Sequence, residues 1–200
     1  MNYKYQMIDI DEIKKKLLQN FTVGSNKITI NESTGEIDIF GYDDMVELIN
    51  PKLYKLPVSF NEVTCDNFML TQSLLVTLEG SPKIVHTLFS CVDNSLVSLV
   101  GGPNVVDGNY ICFKNPLTSI DGLAEKIGGR IMLPNNENLP ILRLVSRSNE
   151  ISFVNNDRVV SNDSVSQILK KYAGQKPLRQ AIIQCQRELI DAGYKGNARL

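Results

Sequence analysis

The apolar positions of this chain recur every 21 residues through its middle. Leu70, Cys91, Cys112 and Leu133 form one such series, and Phe68, Phe89, Tyr110 and Ile131 a second. Leu78, Leu99 and Ile120 form a third, with Asn94, Asn115 and Asn136 and then Gly80, Gly101 and Gly122 in the same register. A unit this short cannot enclose a core alone, so neighbouring units must stack and share one. Within a unit, the apolar–any–apolar pattern of Phe68–Leu70, Phe89–Cys91 and Tyr110–Cys112 predicts a short strand with both apolar side chains on one face. The predicted fold is a short α/β-repeat solenoid of parallel strands.

Outside the repeats the pattern changes. Ile8, Ile13, Leu17 and Leu18 are spaced for a helix that Asp9 or Asp11 could cap. KITINESTGEIDIF alternates on either side of Ser33-Thr34-Gly35, which predicts a hairpin. A fainter coil is expected over Val46, Leu48, Leu53 and Leu56, with Pro51 in the asparagine position, and a last rung at Ile151-Ser152-Phe153. From Asp163 the period is helical. One helix is expected to start at Asn162 or Asp163 and end at Gly174; a second starts at Pro177, ends at Gly193, and carries an apolar stripe of Leu178, Ile182, Cys185 and Leu189. Residues 1–45 therefore read as an N-terminal helix and hairpin cap, 46–160 as the solenoid, and 161–200 as a C-terminal helical cap. In the closing GYKGNARL, Tyr194 and Leu200 are expected to pack onto that cap.

Tyr110 to Ile120 and Phe89 to Leu99 have the form L-x-L-x-x-N-x-L-x-x-L, and Phe68 to Leu78 shares it with Ser73 for Asn. This pattern resembles the leucine-rich repeat. The segment LVSLVGGPNVVDGNYICFKNPLTSIDGL is similar to a short-repeat family of T-even-like bacteriophages, and TINESTGEIDI, LYKLPVSFNEV and RELIDAGYKGNARL are similar to that family's flanking segments. The resemblance covers about 27 to 200. It implies inward apolar positions and an asparagine whose amide satisfies turn backbone, and it implies no particular activity. The chain departs from it at Ser73, at Pro51, at His86-Thr87 and after Asn136.

On the predicted strands, the residues that alternate with the core point outward. They are Met69, Ser90, Ile111 and Met132, followed by Thr71, Val92, Phe113 and Pro134. With strands roughly 4.8 Å apart, four rungs span only about 15 Å, so these side chains would form one apolar patch. Such patches mark partner sites, self-association, or a face covered from within. Asp93 and Lys114 belong to a polar series that rims it. The expected site is thus a protein-binding face of Met69, Thr71, Ser90, Val92, Asp93, Ile111, Phe113, Lys114, Met132 and Pro134.

Composition narrows the reading further. At 42% hydrophobic and 22% charged residues the chain is not disordered, and a net charge of -1 gives no global attraction to nucleic acid. No apolar run approaches the roughly 18 residues of a membrane span, and the start lacks a secretory apolar region. The four cysteines lack metal-type spacing, and Cys91 and Cys112, in slots where neighbouring repeats place Leu, read as small buried hydrophobes; a reduced, cytoplasmic protein is expected. Lys170, Lys171, Lys176, Arg179, Arg187, Lys195 and Arg199 outnumber Asp163, Glu188 and Asp191, but solvated helix faces commonly look so, and a nucleic-acid partner is not expected. His86 is the only histidine and falls in a turn, and the glycine pairs at 101–102 and 128–129 lack a following P-loop lysine. No acid, base or nucleophile set converges, so neither an enzyme nor a metal or cofactor site is expected. The expected function is a non-enzymatic binding module. If phage-encoded, it would occupy a host protein such as a defence factor, toxin or polymerase component in the host cytoplasm. The alternative is a structural protein that self-associates into a homo-oligomer through the same face.

Overall fold

A computed structural model describes residues 8–42, 44–147, 150–155, 157–160, 164–176 and 178–200. The chain begins with α1 (Ile10–Asn20), in which the Asp9 carboxylate accepts from the Glu12 amide at 2.9 Å. Asp11 and Glu12 in the first turn suit the positive end of the helix. There follow β1 (Phe21–Thr22), β2 (Lys27–Ile30), β3 (Ile37–Phe40) and β4 (Val46–Leu48). The repeats alternate between two kinds of strand: β5 (Phe60–Val63), β6 (Asn67–Met69), β7 (Ile84–Val85), β8 (Leu88–Ser90), β9 (Val105–Val106), β10 (Tyr110–Ile111), β11 (Lys126–Ile127) and β12 (Ile131–Pro134). A short 3-10 turn (Leu142–Ser146) leads to β13 (Ile151–Asn155), β14 (Arg158–Val159), α2 (Ser164–Tyr172) and α3 (Leu178–Asp191).

The molecule is a parallel-strand solenoid of about five turns, with helices at its ends. Among the described residues one sheet runs β1-β4-β6-β8-β10-β12-β13-β14, and the other β11-β9-β7-β5-β3-β2. Pairs β4 through β13 in the first sheet and β3 through β11 in the second are parallel. Phe68, Phe89, Tyr110 and Ile131 stand opposite one another across the first sheet, which is the predicted register. The second strand of each coil, Val85–Val106–Ile127 in its inward row, is an addition to the expected pattern.

Between the sheets lies one continuous core. Phe60, Phe68, Phe89 and Tyr110 are almost fully buried, with successive ring centroids 5.1, 6.2 and 5.1 Å apart. Phe21 joins this column 5.2 Å from Phe60. Leu75, Leu96 and Leu117 and then Leu78, Leu99 and Ile120 complete the inward set, and the four free cysteines are buried with it. Packing is tight where the chain turns back on itself. A Cβ on Gly102 would come within 3.0 Å of the Tyr110 hydroxyl, so the missing side chain makes room for that oxygen.

Among the described residues, three of the four sheet edges finish on an antiparallel strand, β1, β2 and β14, and the fourth on the parallel strand β11. The β2–β3 hairpin forms around Gly35, whose φ is +72°, and β3 enters the second sheet beside β5. At the far end β14 folds back on β13, and Gly174 and Gly193 end the two helices at φ +71° and +93°. The expected caps Asn162 and Asp163, and the expected start Pro177, lie outside the described residues. Two details of the C-terminal expectation are corrected. Leu178, in the first turn of α3, is exposed; the stripe packed on the core is Ala181, Cys185 and Leu189, with Ile182 partly buried against it as expected. Leu200 is 73% exposed, whereas Asn197 and Ala198 are buried in its place.

Candidate protein-interaction surface

The outer surface is shaped by a corner that repeats in three successive coils. Just past the first-sheet strand, Gln72, Asp93 and Lys114 adopt left-handed backbone at φ +55°, +60° and +55°. That conformation swings the next residue, Ser73, Asn94 or Asn115, into the interior. The Asn94 amide nitrogen donates to the carbonyls of Leu70, Cys91 and Val92 at 2.6, 3.2 and 3.2 Å, while its oxygen accepts from the Leu75 amide at 3.2 Å. Asn115 repeats the arrangement one coil on, with Cys91, Cys112, Phe113 and the Leu96 amide. Ser73 serves the Asn50 and Leu53 carbonyls with its hydroxyl. Asn136 departs from this arrangement: its amide nitrogen donates to the Leu117 carbonyl at 2.9 Å and its oxygen accepts from the Asn138 amide at 2.9 Å.

Outward of these corners, the first sheet brings the expected site residues together. Met69, Ser90, Ile111 and Met132 are successive partners in the ladder. Thr71, Val92, Phe113 and Pro134 follow them in the chain; Pro134 ends β12, and the other three lead into the left-handed corners. Met69, Thr71, Val92, Ile111, Phe113, Met132 and Pro134 are all half-buried, and Asp93 and Lys114 are exposed. Ser90 is the exception at 4% exposure: flanked by the longer Met69 and Ile111, its short side chain is closed to a partner. Lys114 is tied to Asp157 at 2.6 Å, so the β13–β14 turn anchors one side of this wall.

A second apolar row lies around the corner and was not foreseen. The Val76 amide donates to the Tyr54 carbonyl and the Thr118 amide to the Val97 carbonyl, which stacks these positions on adjacent coils. Tyr54 is 63% exposed and Val76 and Val97 53% each; Leu74 and Val100 are exposed beside them. The sequence signal was present in the any-residue positions of L-x-x-L, which hold Val76 and Val97 where solvent-facing positions ordinarily carry polar residues.

Charged groups are mostly occupied in holding coils together. His86 bonds Asp107 through Nδ1 at 2.8 Å and Glu62 through Nε2 at 2.7 Å, and Lys126 reaches the other Asp107 oxygen at 3.1 Å. The bond to Glu62, and then that to Asp107, raises the His86 pKa above its ordinary value against the opposing effect of burial. Lys126 holds Asp107 below the usual carboxylate range. In the basic C-terminal segment, Lys171 and the Tyr172 hydroxyl share the Glu188 carboxylate at 2.7 and 2.6 Å, and Arg199 donates to the Asn138 and Gly196 carbonyls. Arg143 pairs with Asp121 at 2.6 Å, and Asp44 accepts from Ser25; Asp43 is outside the described residues.

The thiols are poor nucleophiles. Burial pushes Cys65 and Cys185 up to about 11, and Cys91 and Cys112 higher still. Among the described residues no group of three or more His, Cys, Asp or Glu side chains is arranged to hold a metal ion. Nor, among them, is any helix long and apolar enough to cross a membrane. Comparison with protein-family models, with curated proteins and with solved structures returned no match.

Proposed function

We propose that the protein is a non-enzymatic binding scaffold that occupies another protein through the wall formed by its first sheet and the adjoining corner. One observation carries this reading. Two apolar rows, Met69–Ile111–Phe113–Met132 and Tyr54–Val76–Val97, flank a ridge of left-handed polar residues on one continuous stack of coils. Rigid apolar anchors bind at low entropic cost, and polar residues between them, Asp93 and Lys114 here, set orientation. The similarity of the repeat segment to the T-even-like bacteriophage family supports a host protein as the partner, met in the cytoplasm of an infected cell.

The test is affinity capture from bacterial lysate with mass-spectrometric identification, run on four proteins: wild type, Phe113→Asp, Met132→Asp and the pair Val76→Asp/Val97→Asp. A host protein retained by wild type and lost with Phe113→Asp or Met132→Asp assigns binding to the strand wall. Loss only with the valine pair moves the contact to the corner row. If wild type retains nothing but elutes as an oligomer that the variants break, the face serves self-assembly and the binding reading fails.

A further inference from the structure

The second sheet carries a chain of charge on its outer face that belongs to neither apolar row. It begins at Glu62 on β5, crosses to His86 just past β7, continues to Asp107 just past β9, and ends at Lys126 on β11. One imidazole thereby links three consecutive coils, and Lys126 joins a fourth through Asp107. Both ring nitrogens face carboxylate oxygens, at 2.7 and 2.8 Å. Only the imidazolium can donate to both; a neutral ring has one N–H and must present a lone pair to the other carboxylate.

We propose that His86 is a proton-operated clamp between the coils of β5, β7 and β9, closed when the ring is charged and open when it is neutral. The groups around it fix the sense of the switch. Glu62 approaches from β5 and Asp107 from β9, and Lys126 on β11 keeps Asp107 ionised. Asp38 on β3 accepts from the Glu62 amide at 3.1 Å and from Asn61 at 2.9 Å, which holds the Glu62 backbone in place. Lys83, on the approach to β7, is engaged by Glu36 at 2.7 Å and does not compete for the two carboxylates. His86 thus faces one acid on each side, with Lys126 bound to the other oxygen of Asp107. A group whose folded-state pKa is raised stabilises fully below its ordinary value, and that contribution disappears as pH rises through the folded-state pKa. The clamp therefore holds below the ordinary histidine value and releases as pH rises through the raised folded-state value.

Because His86 is the only histidine, its ring protons can be followed by NMR without assignment. We would titrate the whole chain over roughly pH 5.5 to 9, where Asp and Glu stay ionised, and measure backbone amide protection factors in parallel. The expected result is a titration above the ordinary histidine value that is lowered in Glu62→Gln and in Asp107→Asn. Alongside it, the protection of the His86 and Asp107 amides, which donate to Val63 and Val85, should drop several-fold across the same midpoint. His86→Gln should abolish that step. A titration at or below the ordinary value, or protection that follows no midpoint in wild type, would overturn the clamp.

Discussion

At the scale of single residues, two buried polar side chains in the same stack have opposite worth. The Asn115 amide satisfies three carbonyls and one amide, all but the Phe113 carbonyl fully in the interior. Replacing it by alanine removes this partner from the buried Cys91 and Cys112 carbonyls and the Leu96 amide, while the Phe113 carbonyl keeps the Asp93 amide, so Asn115→Ala should cost about 3 kcal/mol. The Tyr110 hydroxyl, by contrast, is buried without a hydrogen-bond partner among the described residues. Tyr110→Phe removes an unmet desolvation penalty and keeps the ring contact with Phe89, so its effect should lie between zero and about 1 kcal/mol of stabilisation. Urea denaturation of the two variants beside wild type decides both points. A loss of stability in Tyr110→Phe would mean that the hydroxyl is bonded after all. The asparagine was legible in the sequence because its 21-residue spacing singled it out. The unpartnered hydroxyl was not, since its state depends on Gly102 opposite it.

At the scale of elements, the turns decide which residues a coil can use. Gly122 has φ +85°, and a Cβ there would fall 2.2 Å from the Leu99 carbonyl oxygen. Gly174 has φ +71° and open space around it. Both substitutions meet the left-handed penalty of about 1–2 kcal/mol, but only Gly122→Ala adds a collision with the neighbouring coil. It should therefore lose at least about 3 kcal/mol, against about 1 kcal/mol for Gly174→Ala, as read from thermal or urea midpoints. Equal losses would show that coil stacking is looser than these distances. The recurring turn glycines were readable from spacing. The corners at Gln72, Asp93 and Lys114 were not, because glutamine and lysine carry no left-handed signal. The second-sheet strands β7, β9 and β11 were missed for a different reason: at two residues each they are too short to display alternation. Glu62, His86, Asp107 and Lys126 were invisible as a group for the same cause, since only the second sheet brings their coils side by side.

At the scale of the whole molecule, a solenoid is stabilised by contacts between neighbours, so its ends are where it opens. The C-terminal end is held by a tail that substitutes for the next coil. Asn197 donates to the carbonyls of Asn136 and Leu139 at 3.0 and 2.9 Å, which is the work Asn94 and Asn115 do inside the repeats. The Asn197 and Arg199 carbonyls accept from the Ile141 and Leu142 amides. Deleting 195–200 strips these partners from one end only. The expected outcome is a local one. Amides at the last coils, such as Cys112 bonded to the Met132 carbonyl and Ile131 bonded to Glu150, should lose hydrogen-exchange protection. Leu70, bonded to the Ser90 carbonyl two coils away, should keep it. The single change Asn197→Ala should give a weaker version of the same gradient. Uniform loss along the chain would instead mean that the coils melt as one cooperative block, and unchanged protection at Cys112 and Ile131 would mean that α2 and α3 alone close the end. A gradient matters for function as well. It would leave the wall at Met69 and Val92 rigid while the coils of Phe113 and Met132 loosen, so losing the tail should weaken a partner held by those two anchors more than one held by the corner row of Val76 and Val97.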